Sequence, residues 1–203
     1  MNTDQHRLKR ELVELSHIFY ERGWSLATSS NFSIRIDDSS MLITASGKDK
    51  SLLSEADIVH TTLSGEVIEG RGKPSAETLL HGELYRTNPQ IGAVIHTHSL
   101  YATLLSTRHL NENFIAIEGY EMLKALSGVT THEHREIIPI FPNNQDMHVL
   151  AGRITPYISE HPECHSVLIA AHGLYCWGRD VAEAKRHVEA LEFLFECEYR
   201  KAL

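Results

Sequence analysis

Apolar side chains recur along this chain with two periods, and the change of period marks where helices and strands are predicted. Within a charged background, leucine and phenylalanine follow the spacing of an amphipathic helix, which we predict over residues 4–22. Strict alternation over residues 32–36 predicts a half-buried strand. Shorter strand patterns lie at 41–44, 60–63 and 67–68. The first third of the chain is therefore predicted to be an antiparallel meander behind one helix.

The rest of the chain mixes helical patterns with apolar runs. A helix should open at Ser75 as its N-cap, with Glu77 in its first turn. Further helical patterns cover 99–105, 121–126, 147–158 and 181–203. Strand patterns cover 92–98, 114–117, 136–141 and 166–173, the last of them continued by 174–177. Strands and helices mixed in this order predict one three-layer domain over 1–203, of the α/β or α+β class.

Composition and charge narrow the function classes. With 203 residues, of which 42% are hydrophobic and 23% charged, the chain is typical of a globular protein that can bury a core. A formal net charge of -8 argues against a nucleic-acid surface. The three cysteines lack CxxC spacing, which predicts a reducing compartment. Because the first residues are polar and no apolar stretch reaches about 18 residues, we expect a cytoplasmic protein without a membrane segment.

Two histidines close the apolar run that follows Gly92. His96 and His98 stand at positions i and i+2, so on a strand they project from one face, with Cα atoms about 6.6 Å apart. That spacing lets both rings reach one ion, at about 2.0–2.1 Å from each nitrogen for zinc. His172 ends the other long apolar run, before Gly173, and the two strand ends could meet at one sheet edge. Three nitrogen ligands with an open fourth position are typical of a catalytic zinc.

Other residues could take part, and the sequence leaves some alternatives open. Cys176 lies four residues after His172 and could close the site, although a small core residue is the favoured interpretation. His132 and His134 repeat the i, i+2 spacing, but no apolar run precedes them, which favours a solvated loop. Glu77 either complements the dipole at a helix N-terminus or brings a carboxylate to the metal or the substrate.

Three small polar turns supply groups that commonly bind anions. They contain residues 29–31, 44–48 and 72–75. Each presents backbone N–H groups, hydroxyls or a lysine, which hold anions in turns and at helix N-termini. Together with a metal site the turns favour a phosphorylated substrate, although the chain has no G-x-x-x-x-G-K pattern.

Five short motifs follow one another along the chain. They are Thr28-Ser29-Ser30-Asn31-Phe32-Ser33-Ile34-Arg35, Ile43-Thr44-Ala45-Ser46-Gly47, Lys73-Pro74-Ser75-Ala76-Glu77, Ala93-Val94-Ile95-His96-Thr97-His98 and Ala171-His172-Gly173-Leu174-Tyr175-Cys176-Trp177-Gly178. In this order they resemble the class II aldolase/adducin family over nearly the whole chain. The resemblance implies a three-layer αβα fold with a central, largely antiparallel sheet. It also implies a homo-oligomer, commonly a tetramer, with sites near subunit contacts.

The resemblance further implies what the site binds. One Zn2+ per subunit would be held by His96, His98 and His172. The substrate would be a small phosphorylated ketose, with its phosphate held by the turns at Asn31, Ser46-Gly47-Lys48 and Ser75. Members of the family include zinc-dependent sugar-phosphate aldolases, epimerases and dehydratases.

Within the family, Glu121-Met122-Leu123-Lys124 looks most like a dehydratase branch that acts on a methylthio-bearing ketose phosphate of methionine salvage. In that branch a glutamate at the position of Glu121 serves as the general acid/base. Glu77 matches the catalytic glutamate of the aldolases, so a fuculose-phosphate aldolase or an epimerase is the alternative. Ser30 is a departure, because many members have glycine before Asn31. A non-catalytic scaffold is disfavoured, because the adducin members lack the metal histidines.

Overall fold

The computed structural model describes residues 3–202, in which five α-helices and nine β-strands occur. The helices are α1 (Thr3–Glu21), α2 (Thr78–Thr87), α3 (Leu100–Arg108), α4 (Met147–Glu160) and α5 (Val181–Lys201). The strands are β1 (Asn31–Arg35), β2 (Ser40–Thr44), β3 (Ile58–Thr62), β4 (Val67–Glu69), β5 (Ala93–Thr97), β6 (Phe114–Glu118), β7 (Arg135–Phe141), β8 (Ser166–Ile169) and β9 (Gly173–Gly178). Short 3-10 helices cover Glu55–Asp57 and Glu121–Ala125. None of the helices between residues 3 and 202 is long and apolar enough to cross a membrane.

All nine strands form one sheet, in the order β4-β3-β2-β1-β5-β9-β8-β7-β6. Neighbouring strands are antiparallel except for β7 and β8, which are parallel. The first four strands lie side by side in chain order, which confirms the predicted meander. Helices α1, α3 and α5 cover one face of the sheet, and α2 and α4 cover the other. The fold is therefore the expected three-layer αβα arrangement around a largely antiparallel sheet.

The central strand β5 separates two hydrophobic cores. Ala93 and Ile95 join the core beneath α1, α3 and α5, whereas Val94 joins the core beneath α2 and α4. Because side chains alternate along a strand, His96 projects on the same face as Val94, toward α2. Ala93, Val94 and Ile95 are all buried, so close packing on both faces fixes the direction of the histidine that follows them.

The chain reverses direction where the sequence predicts one continuous strand over residues 166–177. That prediction is wrong, because β8 ends at Ile169 and β9 runs back antiparallel to it from Gly173. The reversal passes through Ala171, whose φ of 53° lies in the left-handed region. Ile169-Ala170-Ala171-His172 contains no Gly, Pro or Asn to signal a turn. His172 therefore lies in a turn and not at the end of a strand.

The start of α2 and the ends of two other predicted helices also differ from the prediction. The N-cap of α2 is Glu77, not Ser75. Ser75 lies in the preceding turn, where its carbonyl accepts the Thr78 N–H at 3.1 Å and the Thr78 hydroxyl at 2.7 Å. The predicted helix at 121–126 is a short 3-10 helix, and α5 ends at Lys201. Residue 203 of that predicted helix lies outside the described residues.

Candidate metal centre and substrate cavity

The register of three neighbouring strands brings polar groups to one edge of the sheet. His96 of β5 lies opposite Asn31 of β1 and opposite Tyr175 of β9. The Tyr175 ring stacks on the His96 ring with centroids 4.1 Å apart. His98 follows the end of β5, and its backbone N–H donates to the carbonyl of Trp24 at 3.0 Å. The two histidines thus share one edge and one face, as the i, i+2 spacing predicts.

Gly173 allows the third histidine to approach the other two. A Cβ atom on Gly173 would lie 2.0 Å from the carbonyl oxygen of Thr97 and 3.3 Å from the Cα of His98. Only glycine permits so close a contact between the start of β9 and the end of β5. His172, the residue before Gly173, is therefore held beside His98.

His96, His98 and His172 form what we call the three-histidine cluster. Their Nε2 atoms lie 2.7 Å (96–98), 3.2 Å (96–172) and 3.0 Å (98–172) apart. Glu77 places Oε2 at 3.3 Å from the His96 Nε2 and Oε1 at 3.3 Å from the His172 Nε2. The His96 Nδ1 donates to the carbonyl of Leu174 at 2.9 Å, which leaves its Nε2 without a proton. Tetrahedral zinc at about 2.0–2.1 Å from each nitrogen needs nitrogens about 3.3 Å apart, so these donors fit a divalent ion.

The electrostatics keep the ligand atoms in the forms that bind metal. Burial lowers the pKa of His96 to about 4 and of His98 to about 3, so both rings are neutral near pH 7. Burial alone would raise the pKa of Glu77, but the His96 ring and the hydrogen bond from Asn31 outweigh it and lower the pKa to about 2. The cluster therefore combines the neutral rings of His96 and His98 and the His172 ring with one carboxylate.

A chain of buried hydrogen bonds supports Glu77 from α2 and β1. The Asn31 amide donates to the Glu77 Oε2 at 2.6 Å, and its carbonyl oxygen accepts a hydrogen bond from the His81 Nε2. The Ser33 hydroxyl then donates to the His81 Nδ1 at 2.8 Å and accepts from the Tyr85 hydroxyl at 2.7 Å. Burial lowers the pKa of His81 to about 3, in keeping with this neutral tautomer. Asn31 is thus fixed as a partner of Glu77.

A cavity of about 430 Å³ opens beside the cluster. Its lining residues come from the turns before β1 and after β2, the turn before α2, the segment before α4, and the cluster itself. They are Thr28, Ser29, Ser30, Asn31, Ala45, Ser46, Gly47, Ser75, Ala76, Glu77, His98, Asn143, Gln145, Met147, Ala171 and His172. The lining therefore includes five predicted site residues besides the histidines: Glu77 and the predicted phosphate contacts Asn31, Ser46, Gly47 and Ser75. No Lys or Arg belongs to this lining.

Two predicted site residues lie elsewhere in the chain. The Lys48 ammonium is 2.8 Å from the Asp57 carboxylate and does not line the cavity, although Gly47 beside it does. Glu121 is 71% exposed on its 3-10 helix, pairs with Lys124, and belongs neither to the cluster nor to the cavity lining. Within a single chain, Glu77 is the carboxylate that faces both the cluster and the cavity.

Cys176, His132 and His134, the disfavoured candidates for metal ligands, lie in the core or near the surface, as the sequence predicts. Cys176 is buried in the core beneath α1, α3 and α5, and burial raises the pKa of its thiol. His132 is exposed, whereas the His134 Nε2 donates to the Glu136 carboxylate at 2.7 Å. None of these three residues belongs to the three-histidine cluster.

Several residues near the site escape sequence reasoning. Asn143, Gln145 and Met147 line the cavity from the segment that precedes and starts α4, yet they carry no recognisable spacing. His81 supports Asn31 from the interior of α2, where a lone histidine resembles a surface residue. Lys50 is only 1% exposed although it lies in a polar stretch. Their positions depend on tertiary packing, which a local pattern does not record.

Comparison with known proteins agrees with this geometry. The family model described as Class II Aldolase and Adducin N-terminal domain matches residues 10–199. A methylthioribulose-1-phosphate dehydratase of Pseudomonas fluorescens is 50% identical over 200 residues, which cover 98% of this chain and 96% of that protein. The crystal structure of YgbL from Klebsiella pneumoniae superposes with a TM-score of 0.82 at 25% identity, covering 97% of this chain and 90% of that one. The structure of an L-fuculose 1-phosphate aldolase superposes with a TM-score of 0.79 at 25% identity, covering 99% of this chain and 88% of that one. The chain belongs to the class II aldolase and adducin family.

Proposed function

We propose that this protein is a zinc-dependent methylthioribulose-1-phosphate dehydratase. It would convert 5-methylthioribulose 1-phosphate to 2,3-diketo-5-methylthiopentyl 1-phosphate in methionine salvage, as a cytoplasmic enzyme. The observation that carries the proposal is the convergence of the Nε2 atoms of three histidines beside a polar cavity. The dehydratase of Pseudomonas fluorescens, 50% identical over nearly all of both chains, supports the choice of reaction.

The residues of the cavity divide into a metal-binding part and an anion-binding part. His96, His98 and His172 would hold the zinc, which when bound supplies Lewis acidity toward the substrate's ketone oxygen. The Ser46-Gly47 and Ser75 turns present hydroxyl and backbone N–H groups to a phosphate at the other part of the cavity. This arrangement orients the ketose with its carbon chain beside Glu77.

The reaction needs two protons removed and two delivered. The C3–H bond breaks and its proton leaves to a base; the C4–O bond breaks as that hydroxyl takes up a proton and departs as water. The resulting enol becomes the ketone at C3 when its hydroxyl loses a proton and C4 gains one. Hydroxide is a poor leaving group, so an acid must be at hand, and we assign Glu121 to this general acid/base role.

Glu121 can act only at a site other than that of its own chain. Its carboxylate is exposed, pairs with Lys124 and lies outside the cavity of the same chain. The proposed homo-oligomer, a tetramer with sites near subunit contacts, would bring Glu121 of one copy to the cavity of another. Because Glu121 is exposed, its carboxylate is free to reach the cavity of a neighbouring copy across a subunit contact.

An aldolase is the second candidate, and Glu77 favours it. Its carboxylate lies 3.3 Å from the Nε2 atoms of both His96 and His172, while Glu121 is distant from them in the same chain. The fold also superposes on an L-fuculose 1-phosphate aldolase with a TM-score of 0.79. In that reaction a C–C bond breaks, and a carboxylate at Glu77 would handle the proton.

A two-substrate assay separates the candidates. The zinc-loaded protein is incubated in parallel with methylthioribulose 1-phosphate and with fuculose 1-phosphate. We expect diketone absorbance from the first and no aldehyde from the second. Aldehyde from the second without diketone from the first would replace the dehydratase by the aldolase.

The Glu121→Gln variant tests the acid/base assignment. We expect kcat to fall about 10²- to 10⁴-fold, because general acid–base catalysis is lost, while bound zinc is unchanged. Glu118→Gln, an exposed glutamate on β6, is the matched control and should leave kcat unaltered. Mixed oligomers of the Glu121→Gln and His172→Ala proteins should regain part of the activity if the site is shared between copies. Full activity in Glu121→Gln would refute the assignment.

A further inference from the structure

Lys50 is a buried ammonium group that forms no ion pair with a carboxylate of residues 3–202. Its side chain is among the largest fully buried ones, at 1% exposure. Its Nζ donates to the backbone carbonyl of Lys48 at 2.9 Å. An ammonium group has three N–H donors, and no carboxylate within residues 3–202 forms an ion pair with Lys50. Lysine is almost never buried without a partner, so this position requires an explanation.

Burial disfavours the charged form of Lys50. Burial lowers the pKa of Lys50 to about 8, and the charge of Asp49 offsets a part of that shift. The ammonium form is therefore still the main one near pH 7. A charge held in this way is usually paired with an opposite charge, and a bound anion can supply it.

The position of Lys50 relates it to the cavity. It follows the Ala45-Ser46-Gly47 turn, which forms one wall, and it hydrogen-bonds to the next residue of that turn, Lys48. Its charge also acts on the cluster: burial is the main cause of the lowered pKa of His98, and Lys50 adds to it. Lys50 is thus tied, by its place in the chain and by one hydrogen bond, to the turn that carries the predicted phosphate contacts Ser46 and Gly47.

The cavity needs a positive charge that its lining lacks. Its lining contains the Glu77 carboxylate but no Lys or Arg. The lysine nearest in sequence to the wall, Lys48, has its ammonium 2.8 Å from Asp57. A phosphate that entered the cavity would meet neutral hydroxyl and N–H groups together with one carboxylate. In a partly desolvated site an opposite charge a few ångströms away changes binding strongly.

We propose that Lys50, buried in the segment that follows the Ala45-Ser46-Gly47 turn, supplies the positive charge that balances the phosphate group of the substrate. The inference rests on the proposed function in so far as the substrate is phosphorylated. Lys50 acts through the turn that contacts the phosphate, so it is a positioning residue. Its role differs from that of Lys48, which sequence reasoning selects for the same task.

Binding of inorganic phosphate to the zinc-loaded protein tests the proposal without any turnover. Isothermal titration calorimetry compares the wild type with Lys50→Met, which keeps the length and removes the charge. We expect phosphate affinity to fall about tenfold or more, with zinc content unchanged. Lys9→Met is the matched control, because Lys9 is also buried (4% exposed) but does not line this cavity. It should bind phosphate like the wild type. Wild-type affinity in Lys50→Met would overturn the proposal.

Two further measurements keep the test decisive. Lys50→Gln, which is neutral and polar, replaces Lys50→Met if the latter does not fold, and the same loss is expected. In the wild type, ¹³C NMR of the lysine Cε atoms should show that phosphate raises the pKa of Lys50; an unchanged pKa would contradict the proposal. If Lys50→Met loses phosphate affinity while the wild type forms no diketone from methylthioribulose 1-phosphate, this inference stands and the dehydratase is rejected. If Lys50→Met keeps its phosphate affinity while the wild type forms the diketone, this inference alone is rejected.

Discussion

The three-histidine cluster has a counterpart at the opposite end of β9, and the two regions use their ring nitrogens differently. We call the second region the two-histidine network; it consists of His165, His187, Glu136 and Ser127. The His165 Nδ1 donates to Glu136 at 2.9 Å, and its Nε2 donates to the Ser127 carbonyl at 2.8 Å. The His187 Nδ1 donates to the Trp177 carbonyl at 2.8 Å, and its Nε2 accepts the Ser127 N–H at 3.1 Å. Every ring nitrogen of the network has a complementary protein partner.

The cluster lacks such complements at the point where its rings meet. Three Nε2 atoms face one another at 2.7–3.2 Å, and the tautomer of His96 leaves a lone pair where a donor would be needed. Lone pairs that converge without a donor call for a cation, whereas paired donors and acceptors complete a structural network. The direction of the nitrogens, rather than the number of histidines, thus distinguishes a metal centre from a support.

The two regions also differ in charge. Burial alone would lower the pKa of His165, but the hydrogen bond and charge of Glu136 outweigh it and raise the pKa. Burial lowers the pKa of His187 to about 4. One imidazolium and one neutral ring therefore hold Ser127, the second residue after the 3-10 helix that carries Glu121. The network stabilises the segment from which Glu121 projects.

The largest expected effect is on zinc binding, and it is tested by removing one histidine ring from each region. His172→Ala should lower zinc affinity by more than about a hundredfold and remove activity with the metal, because a direct ligand is lost. His165→Gln should retain its zinc. Metal analysis of both purified proteins after dialysis gives the answer. Equal zinc content in the two variants would mean that the cluster is not the metal centre.

The second prediction concerns stability. Glu136→Gln leaves the buried His165 imidazolium without its counter-charge, so we expect the free energy of unfolding to fall by about 3 kcal/mol. Urea unfolding of the zinc-loaded protein measures it. Glu133→Gln, an exposed neighbour on the same segment, should stay within about 0.5 kcal/mol of the wild type. A loss in Glu136→Gln no larger than in the control would show that the ion pair does not stabilise the fold.

The smallest expected effect is the pH dependence of this ion pair. The raised pKa of His165 means that its contribution is complete below its ordinary pKa of 6.5 and is lost as pH rises through the higher folded-state pKa. The lowered pKa of Glu136 means that its contribution is present above 4.5 and is lost as pH falls. The difference in unfolding free energy between the wild type and His165→Gln should therefore shrink as pH rises above about 6.5. A difference that grows over this range would refute the assigned charge states.

Sequence reasoning reaches the parts of this protein that depend on local period. The apolar run of β5 and the i, i+2 spacing place His96 and His98 on one face, and the structure has them there. His172 does meet His96 and His98, but not at a strand end as predicted, since it lies in a turn that passes through Ala171 in the left-handed region. No pattern of apolar residues announces that turn.

The remaining parts depend on contacts between segments that are distant in sequence. Lys48 and Lys50 differ through Asp57, which pairs with the ammonium of the first, and through the packing that buries the second. The support of Asn31 by His81 likewise exists only after α2 packs against the sheet. The role assigned to Glu121 comes from a motif, and its distance from the cavity of its own chain could not have been read from that motif.

The close contact of Gly173 with Thr97 has a consequence for how the protein acquires its metal. His96 and His172 are separated by 76 positions in the chain, and they meet only because β9 pairs directly with β5. In an unfolded chain, closing so long a loop is entropically costly, and a pair of neighbouring histidines would hold an ion only weakly. A metal held by this cluster would therefore bind after the fold has formed, and it would then link the end of β5 to the turn before β9.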